Sequence, residues 1–127
     1  MHVQIVTFNL GRMSEGEYID VASRLAPRFA GLPGLLAKVW LESPESGVYG
    51  AIYLWDDVEA MDRFLATDLF EGTNAAFTNL TVDDFSVLEN LTRATQPVLT
   101  LVEDPAPRGR APSPRQGTPA TAAPVGA

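Results

Sequence analysis

The stretch from Pro33 to Asp57, PGLLAKVWLESPESGVYGAIYLWDD, constrains the fold more than any other part of this chain. Two runs of strand-forming residues, about Leu35 to Glu42 and Val48 to Trp55, flank the turn-forming residues Ser43 to Gly47. The stretch reads as a hairpin. It carries both tryptophans and two of the three tyrosines of the chain. Aromatic side chains this dense on paired strands either fill a core or line an apolar pocket.

The flanking segments supply the other elements. His2 to Leu10 alternates as a strand, with Val3, Ile5 and Thr7 on one face and Val6, Phe8 and Leu10 on the other. Ser14 with Glu17 forms a capping box that opens a helix. Tyr18, Ala22, Leu25 and Phe29 recur at helical spacing as its buried stripe. Pro27 removes one backbone donor and is expected to kink or shorten that helix, which Gly31 to Gly34 ends. Asp56 or Asp57 caps a second helix with Ala60, Met61, Phe64 and Leu65 inward. A short third helix is expected near Asp68, with Glu71 completing a second capping box and Phe70 and Phe77 buried. Val82 to Glu89 reads as the fourth strand, and Val98 to Val102 as a short edge strand or arm.

Composition sets the limits of this domain. The 127 residues give room for one domain, and all eleven aromatic residues lie between Phe8 and Phe85. The chain has no cysteine, which excludes disulfides and thiolate chemistry. Residues 1–102 carry six basic and fourteen acidic side chains, and residues 103–127 carry three arginines against two acids, so −8 and +1 make the net −7. An acidic domain repels phosphate backbones, so no nucleic-acid partner is expected. Residues 103–127 hold six of the ten prolines and no aromatic residue, and are expected to form a disordered Pro/Ala-rich tail. The segment MHVQIVTFNLGRM lacks a basic leader followed by a long apolar run. No signal peptide or membrane span is expected, and a cytoplasmic protein is the default.

The element order is β-α-β-β-α-β. This is the α+β, ferredoxin-like arrangement, four antiparallel strands with helices on one face, assigned to residues 1–102. The strands are apolar on both faces: Val39 and Leu41 alternate with Leu36 and Trp40, and Ile52 and Leu54 with Tyr53 and Trp55. The face without helices needs a cover, and the simplest cover is a second copy. A homodimer whose two sheets pack into a barrel is therefore expected.

Pro33-Gly34-Leu35-Leu36, Lys38-Val39-Trp40, Glu42-Ser43 and Gly50-Ala51-Ile52-Tyr53-Leu54 together resemble the YdhR-like monooxygenases, small dimeric α/β-barrel proteins related to the antibiotic-biosynthesis monooxygenases. The resemblance spans roughly Val3 to Gln96. Trp55 to Phe77, WDDVEAMDRFLATDLFEGTNAAF, is similar to the strand-to-helix segment of the wider superfamily. Its cofactor-free quinone-forming members and its haem-degrading members both keep a tryptophan where Trp55 stands. Some use an asparagine near the end of the first strand, where Asn9 falls. The resemblance implies a pocket between helices and sheet that Trp55 and Asn9 shape.

The chain departs from those patterns at two places. Phe64 stands where many antibiotic-type members have a histidine, and Asn74 stands about where haem-degrading members bind iron. The only histidine is His2, so haem degradation and a metal centre are not expected. No glycine-rich phosphate loop follows a strand, and there is no GxSxG motif, so no nucleotide, flavin or serine-triad site is indicated. Oxygenase chemistry here would use no cofactor. A deprotonated phenol or hydroquinone can itself reduce dioxygen, and the protein then binds, desolvates and helps ionise it.

The candidate catalytic residues are Trp55, Asn9 and Tyr53, and the candidate substrate-binding residues are Trp40, Lys38, Phe64, Phe70 and Phe77. Each has a plain alternative. Trp40 and Trp55 stack on a flat substrate or serve as core and barrel residues. Asn9 orients a substrate carbonyl or caps the strand end. Tyr53 donates a proton or is a core tyrosine with its hydroxyl at the edge. Lys38, the only lysine, lowers a substrate phenol's pKa by its charge or pairs with Glu42. The three phenylalanines pack the core or wall a pocket.

Three functions stay open at this level. The chain is a cofactor-independent monooxygenase of a phenolic polycyclic or polyketide-like aromatic, a non-redox polyketide cyclase or isomerase of the same fold, or an accessory protein that binds an apolar ligand. The partners expected are an aromatic small molecule and a second copy of the chain.

Overall fold

The structure is a computed structural model that describes residues 1–95. The chain divides into two units, residues 1–89 and 90–127. The first holds β1 (His2–Asn9), α1 (Glu15–Ala30), β2 (Leu35–Ser43), β3 (Val48–Trp55), α2 (Val58–Leu65), α3 (Asp68–Ala76) and β4 (Thr78–Ser86). A further helix, α4 (Glu89–Thr95), runs into the second unit. The expected arm at Val98–Val102 and the expected tail lie outside the described residues.

The strands form one antiparallel sheet in the order β2-β3-β1-β4. This is the ferredoxin-like topology. Gln4, Val6 and Phe8 of β1 and Tyr49, Ala51, Tyr53 and Trp55 of β3 are buried. All of these but Gln4 form one hydrophobic core with Tyr18 and Phe29 of α1, Ala60, Met61 and Phe64 of α2, and Leu69 of α3. The alternate residues face the other way. Val3 pairs with Leu54 and Phe85, and Ile5 with Ile52, which in turn pairs with Val39. On this second face Val39 is 49% and Phe85 58% exposed.

Local chemistry fixes the helix starts. The Ser14 hydroxyl accepts from the Glu17 amide at 3.1 Å, and the Glu17 carboxylate accepts from the Ser14 amide at 2.9 Å. Asp57 caps α2 by accepting from the Ala60 amide at 2.8 Å. Helix α1 continues through Pro27 to Ala30. Pro27 is exposed, so the carbonyl it leaves without a donor faces water at little cost.

Some local features differ from the side-chain pattern. Thr67, one residue before Asp68, caps α3, so Phe70 rather than Glu71 takes the third position and the second capping box is absent. Leu69, not Phe70, is the buried residue of that helix. β4 begins at Thr78, four residues before Val82, because its pairing with β1 extends from Ser86 opposite His2 to Thr78 opposite Asn9. In β2 the register slips between Leu35 and Ala37, so Leu35 rather than Leu36 stands opposite Trp55.

Gly50 is required where β3 meets β1. A Cβ there would lie 1.9 Å from the Val6 carbonyl oxygen and 2.8 Å from the Thr7 Cα. Only glycine permits this approach. Among the described residues, no helix is long and apolar enough to cross a membrane.

Candidate functional site

Two adjoining cavities lie between α1 and the helix-facing side of β2 and β3. The outer one, of about 380 Å³, runs along Tyr18, Ala22 and Ala26 of α1 and Trp40, Glu42 and Tyr49 of the hairpin. The inner one, of about 50 Å³, lies among Phe8, Phe29, Lys38, Tyr53 and Phe77. Tyr18, Ala22 and Trp40 border both. A site of roughly 300–1,000 Å³ suits a small organic molecule, and the outer cavity falls in that range.

Strand alternation puts the polar groups in place. Lys38 pairs in register with Tyr53, Trp40 with Ala51 and Glu42 with Tyr49, so all three β2 side chains point toward α1. The Lys38 Nζ lies 3.1 Å from the Phe29 ring centroid, 3.6 Å from Trp40 and 4.7 Å from Tyr53. Phe29 meets Trp40 edge-on at 5.6 Å, and Tyr53 stacks on Trp55 at 5.8 Å. Phe77 stacks on Phe8 at 4.2 Å and meets Tyr18 edge-on at 5.7 Å. Three rings, those of Phe29, Trp40 and Tyr53, therefore meet the Lys38 nitrogen.

These surroundings shift the titrating groups. Burial lowers the Lys38 ammonium to about 7. The three ring faces act in the opposite sense, favouring the charged form by about 0.5–2 kcal/mol. Burial raises the Tyr53 and Tyr18 phenols, so both stay protonated at neutral pH. Tyr49 donates to the Glu15 carboxylate at 2.7 Å, which pushes its phenol up to about 12. The expected Lys38–Glu42 pair does not form. Among the described residues Lys38 makes no ion pair or hydrogen bond.

The cavity brings together four of the eight candidates, Lys38, Trp40, Tyr53 and Phe77. It does not reach the others. Trp55 is 0% exposed and gives its indole hydrogen to Gln4 Oε1 at 3.1 Å. Phe64 packs against Trp55, Tyr53, Phe29 and Phe70 inside the core. Asn9 donates to the Gly47 carbonyl at 2.6 Å and accepts from Asn79 at 2.8 Å, tying the hairpin turn to β1 and β4. Both ends of its amide are thus engaged. Tyr18 and Phe29, expected only in the buried stripe of α1, and Phe8, expected only on one face of β1, are also cavity residues. The available signal was the helical spacing of Tyr18 and Phe29 and the strand alternation of Phe8.

His2, the sole histidine, pairs with Asp84 at 2.7 Å and does not line either cavity. The lining does not fit a haem: it offers no histidine or cysteine to the iron, burial keeps Tyr18 and Tyr53 protonated, and Tyr49 gives its hydrogen to Glu15. Among the described residues no group of three or more His, Cys, Asp or Glu is placed to hold a metal ion.

The profile of the family described as "Putative mono-oxygenase ydhR" matches residues 3–98. The chain belongs to this family. No protein with a curated description matches it. Among solved structures, it is similar to an asparagine-to-alanine variant of SnoaB, a cofactor-independent oxygenase from Streptomyces nogalater. The TM-score is 0.55 at 28% identity, over 69% of this chain and 94% of that one. An antibiotic biosynthesis monooxygenase matches with a TM-score of 0.53 at 22% identity, over 69% and 99%. A variant of MhuD, crystallised with two manganese protoporphyrin IX groups per active site, matches at 0.56 and 16%, over 69% and 95%. The last two show a shared fold only.

Proposed function

We propose that this chain is a cofactor-independent monooxygenase that oxidises a phenolic polycyclic or polyketide-like aromatic, and that it works as a homodimer. The observation that carries the reading is the aromatic-walled cavity between α1 and the sheet, with one basic side chain at its inner end. SnoaB, a cofactor-independent oxygenase whose asparagine-to-alanine variant is 28% identical to this chain, lends it support.

The chemistry balances without a protein-borne redox group. An anthrone CH₂ and one O₂ give a quinone C=O and one water. Loss of the acidic proton makes an electron-rich anion, which passes one electron to O₂. Recombination forms a carbon–oxygen bond, and loss of water from the hydroperoxide leaves the ketone. The protein's part is to bind the flat ring system, exclude water and hold the anion. Trp40 and Phe77 provide ring faces, and Tyr53 presents a protonated phenol. Trp55, Phe64 and Phe70 act indirectly, by fixing Tyr53 and Phe29 from behind. Asn9 acts by fixing the hairpin turn.

The homodimer reading rests on the second sheet face, where Val39 and Phe85 are about half exposed beside Ile5 and Ile52. A non-redox cyclase or isomerase is the second reading, favoured by the unpaired Lys38 beside a protonated Tyr53. Oxygen uptake under ¹⁸O₂, with chelator present and a no-protein control, separates the two. The oxygenase reading expects one labelled atom in the quinone and one in water. Binding with turnover but no label would favour the cyclase reading, and binding without turnover an accessory protein.

A further inference from the structure

We propose that Lys38 is the base of this cavity: its amine takes the hydroxyl proton of a planar phenol or enol, and the resulting anion becomes its counter-ion. This deepens the reading above and rests on it for the ligand class.

The geometry supplies the argument. Lys38 is the only lysine in the chain and, among the described residues, the only basic side chain lining either cavity. Its nitrogen is surrounded by ring faces, which accept no conventional hydrogen bond. An ammonium there has three donors and no anionic acceptor among the described residues. Every titratable neighbour lining the two cavities fails to supply one. Tyr53 from β3 and Tyr18 from α1 stay protonated, and Tyr49 gives its hydrogen to Glu15. Glu42 on β2 is paired in register with Tyr49, at the outer cavity, four residues along the strand from Lys38. Charge at Lys38 is therefore left incomplete until a ligand brings an anion. A weak acid does so by giving up its own proton, after which ring faces and phenolate stabilise the ammonium together.

The step moves one proton and no electrons. The substrate O–H breaks, an N–H forms on Nζ, and the pair of charges stays inside the cavity. In an oxidation cycle the proton returns to the oxygen that leaves as water, so Lys38 ends as it began. A fixed cation works differently: it too binds a phenolate, but the proton goes to bulk water.

Proton release during anaerobic binding of 2-naphthol distinguishes these cases, because no oxidation is needed. The full-length protein is mixed with 2-naphthol at about pH 8, where free naphthol is largely un-ionised and burial, set against the ring faces, keeps a share of the lysine neutral. Naphtholate is read by its red-shifted absorbance, and released protons by an indicator dye. The expected result is bound naphtholate with clearly less than one proton released per naphtholate. Lys38→Arg is expected to release about one proton per naphtholate. Lys38→Met, which keeps the apolar stem, is expected to bind naphthol un-ionised, with its fold checked by circular dichroism. Un-ionised naphthol on the unaltered protein, no binding at millimolar naphthol, or about one proton released per naphtholate would each overturn the proposal. Naphtholate formed with that smaller release, but with no oxygen uptake in air, would uphold Lys38 and remove the oxygenase reading instead.

Discussion

The indole Nε1 of Trp55 donates to the Oε1 of Gln4 at 3.1 Å, and both side chains are completely buried. The pair joins β1 to β3 through the core. The other end of the Gln4 amide, Nε2, is buried and has no partner among the described residues. Trp55→Phe would leave a smaller ring and an amide with neither end satisfied. We expect it to destabilise the fold by about 2–4 kcal/mol, read from urea unfolding. A loss below about 0.5 kcal/mol would show that Trp55 does not hold the core together.

Gly50→Ala is expected to be among the most damaging single changes. The added methyl would meet the Val6 carbonyl on the neighbouring strand, and backbone cannot step aside as a flexible side chain can. A loss of about 3 kcal/mol or more, or no soluble protein, is expected. Thermal unfolding of the variant checks this, and an unchanged midpoint would mean that β1 and β3 lie farther apart.

The Tyr49–Glu15 hydrogen bond predicts a pH effect of definite sign. The phenol is raised from 10.0 to about 12 because its hydrogen is held by the Glu15 carboxylate. A raised value means the fold favours the protonated form. The stabilisation is complete below pH 10 and is lost as pH rises through about 12. Tyr49→Phe should therefore melt lower than the unaltered protein at pH 8, and the gap should close toward pH 12. A gap that stays constant across that range would contradict the role of this bond.

The homodimer reading makes its own prediction. Val39→Asp with Phe85→Asp places two charges on the half-exposed sheet face without touching the cavity. Sedimentation equilibrium should give two chains for the unaltered protein and one for the double variant, with circular dichroism preserved. A monomer before substitution would remove the barrel arrangement.

Most of the fold was legible in the sequence because alternation and capping act locally. Val48–Trp55 and the Ser14–Glu17 box come directly from the side-chain pattern. The start of β4 was not legible, since Thr78 to Thr81 joins the sheet through pairing with β1 rather than through an apolar run. At the site, Lys38, Trp40 and Tyr53 share a face by period-two alternation, so their convergence was readable. Whether Trp55 or Tyr53 meets the cavity was not. Both point to the same side of β3, but Tyr53 borders the inner cavity while Trp55 is completely buried and gives its indole hydrogen to Gln4 in the core. The missing Lys38–Glu42 pair has the same kind of cause: the rings of Phe29 and Tyr53, distant in sequence, take the lysine inward.

The central claim is that the α1–hairpin cavity is where a phenolic aromatic meets oxygen. Ala22 borders both cavities from α1, so Ala22→Phe should fill them while leaving the aromatic wall in place. The direct measurement is the initial rate of oxygen uptake with an anthrone, compared among the unaltered protein, Ala22→Phe and a no-protein blank. The account predicts uptake above the blank with one quinone formed per O₂, falling to the blank in a folded Ala22→Phe. Uptake no faster than the blank with the unaltered protein, or equal rates for both proteins, would contradict it.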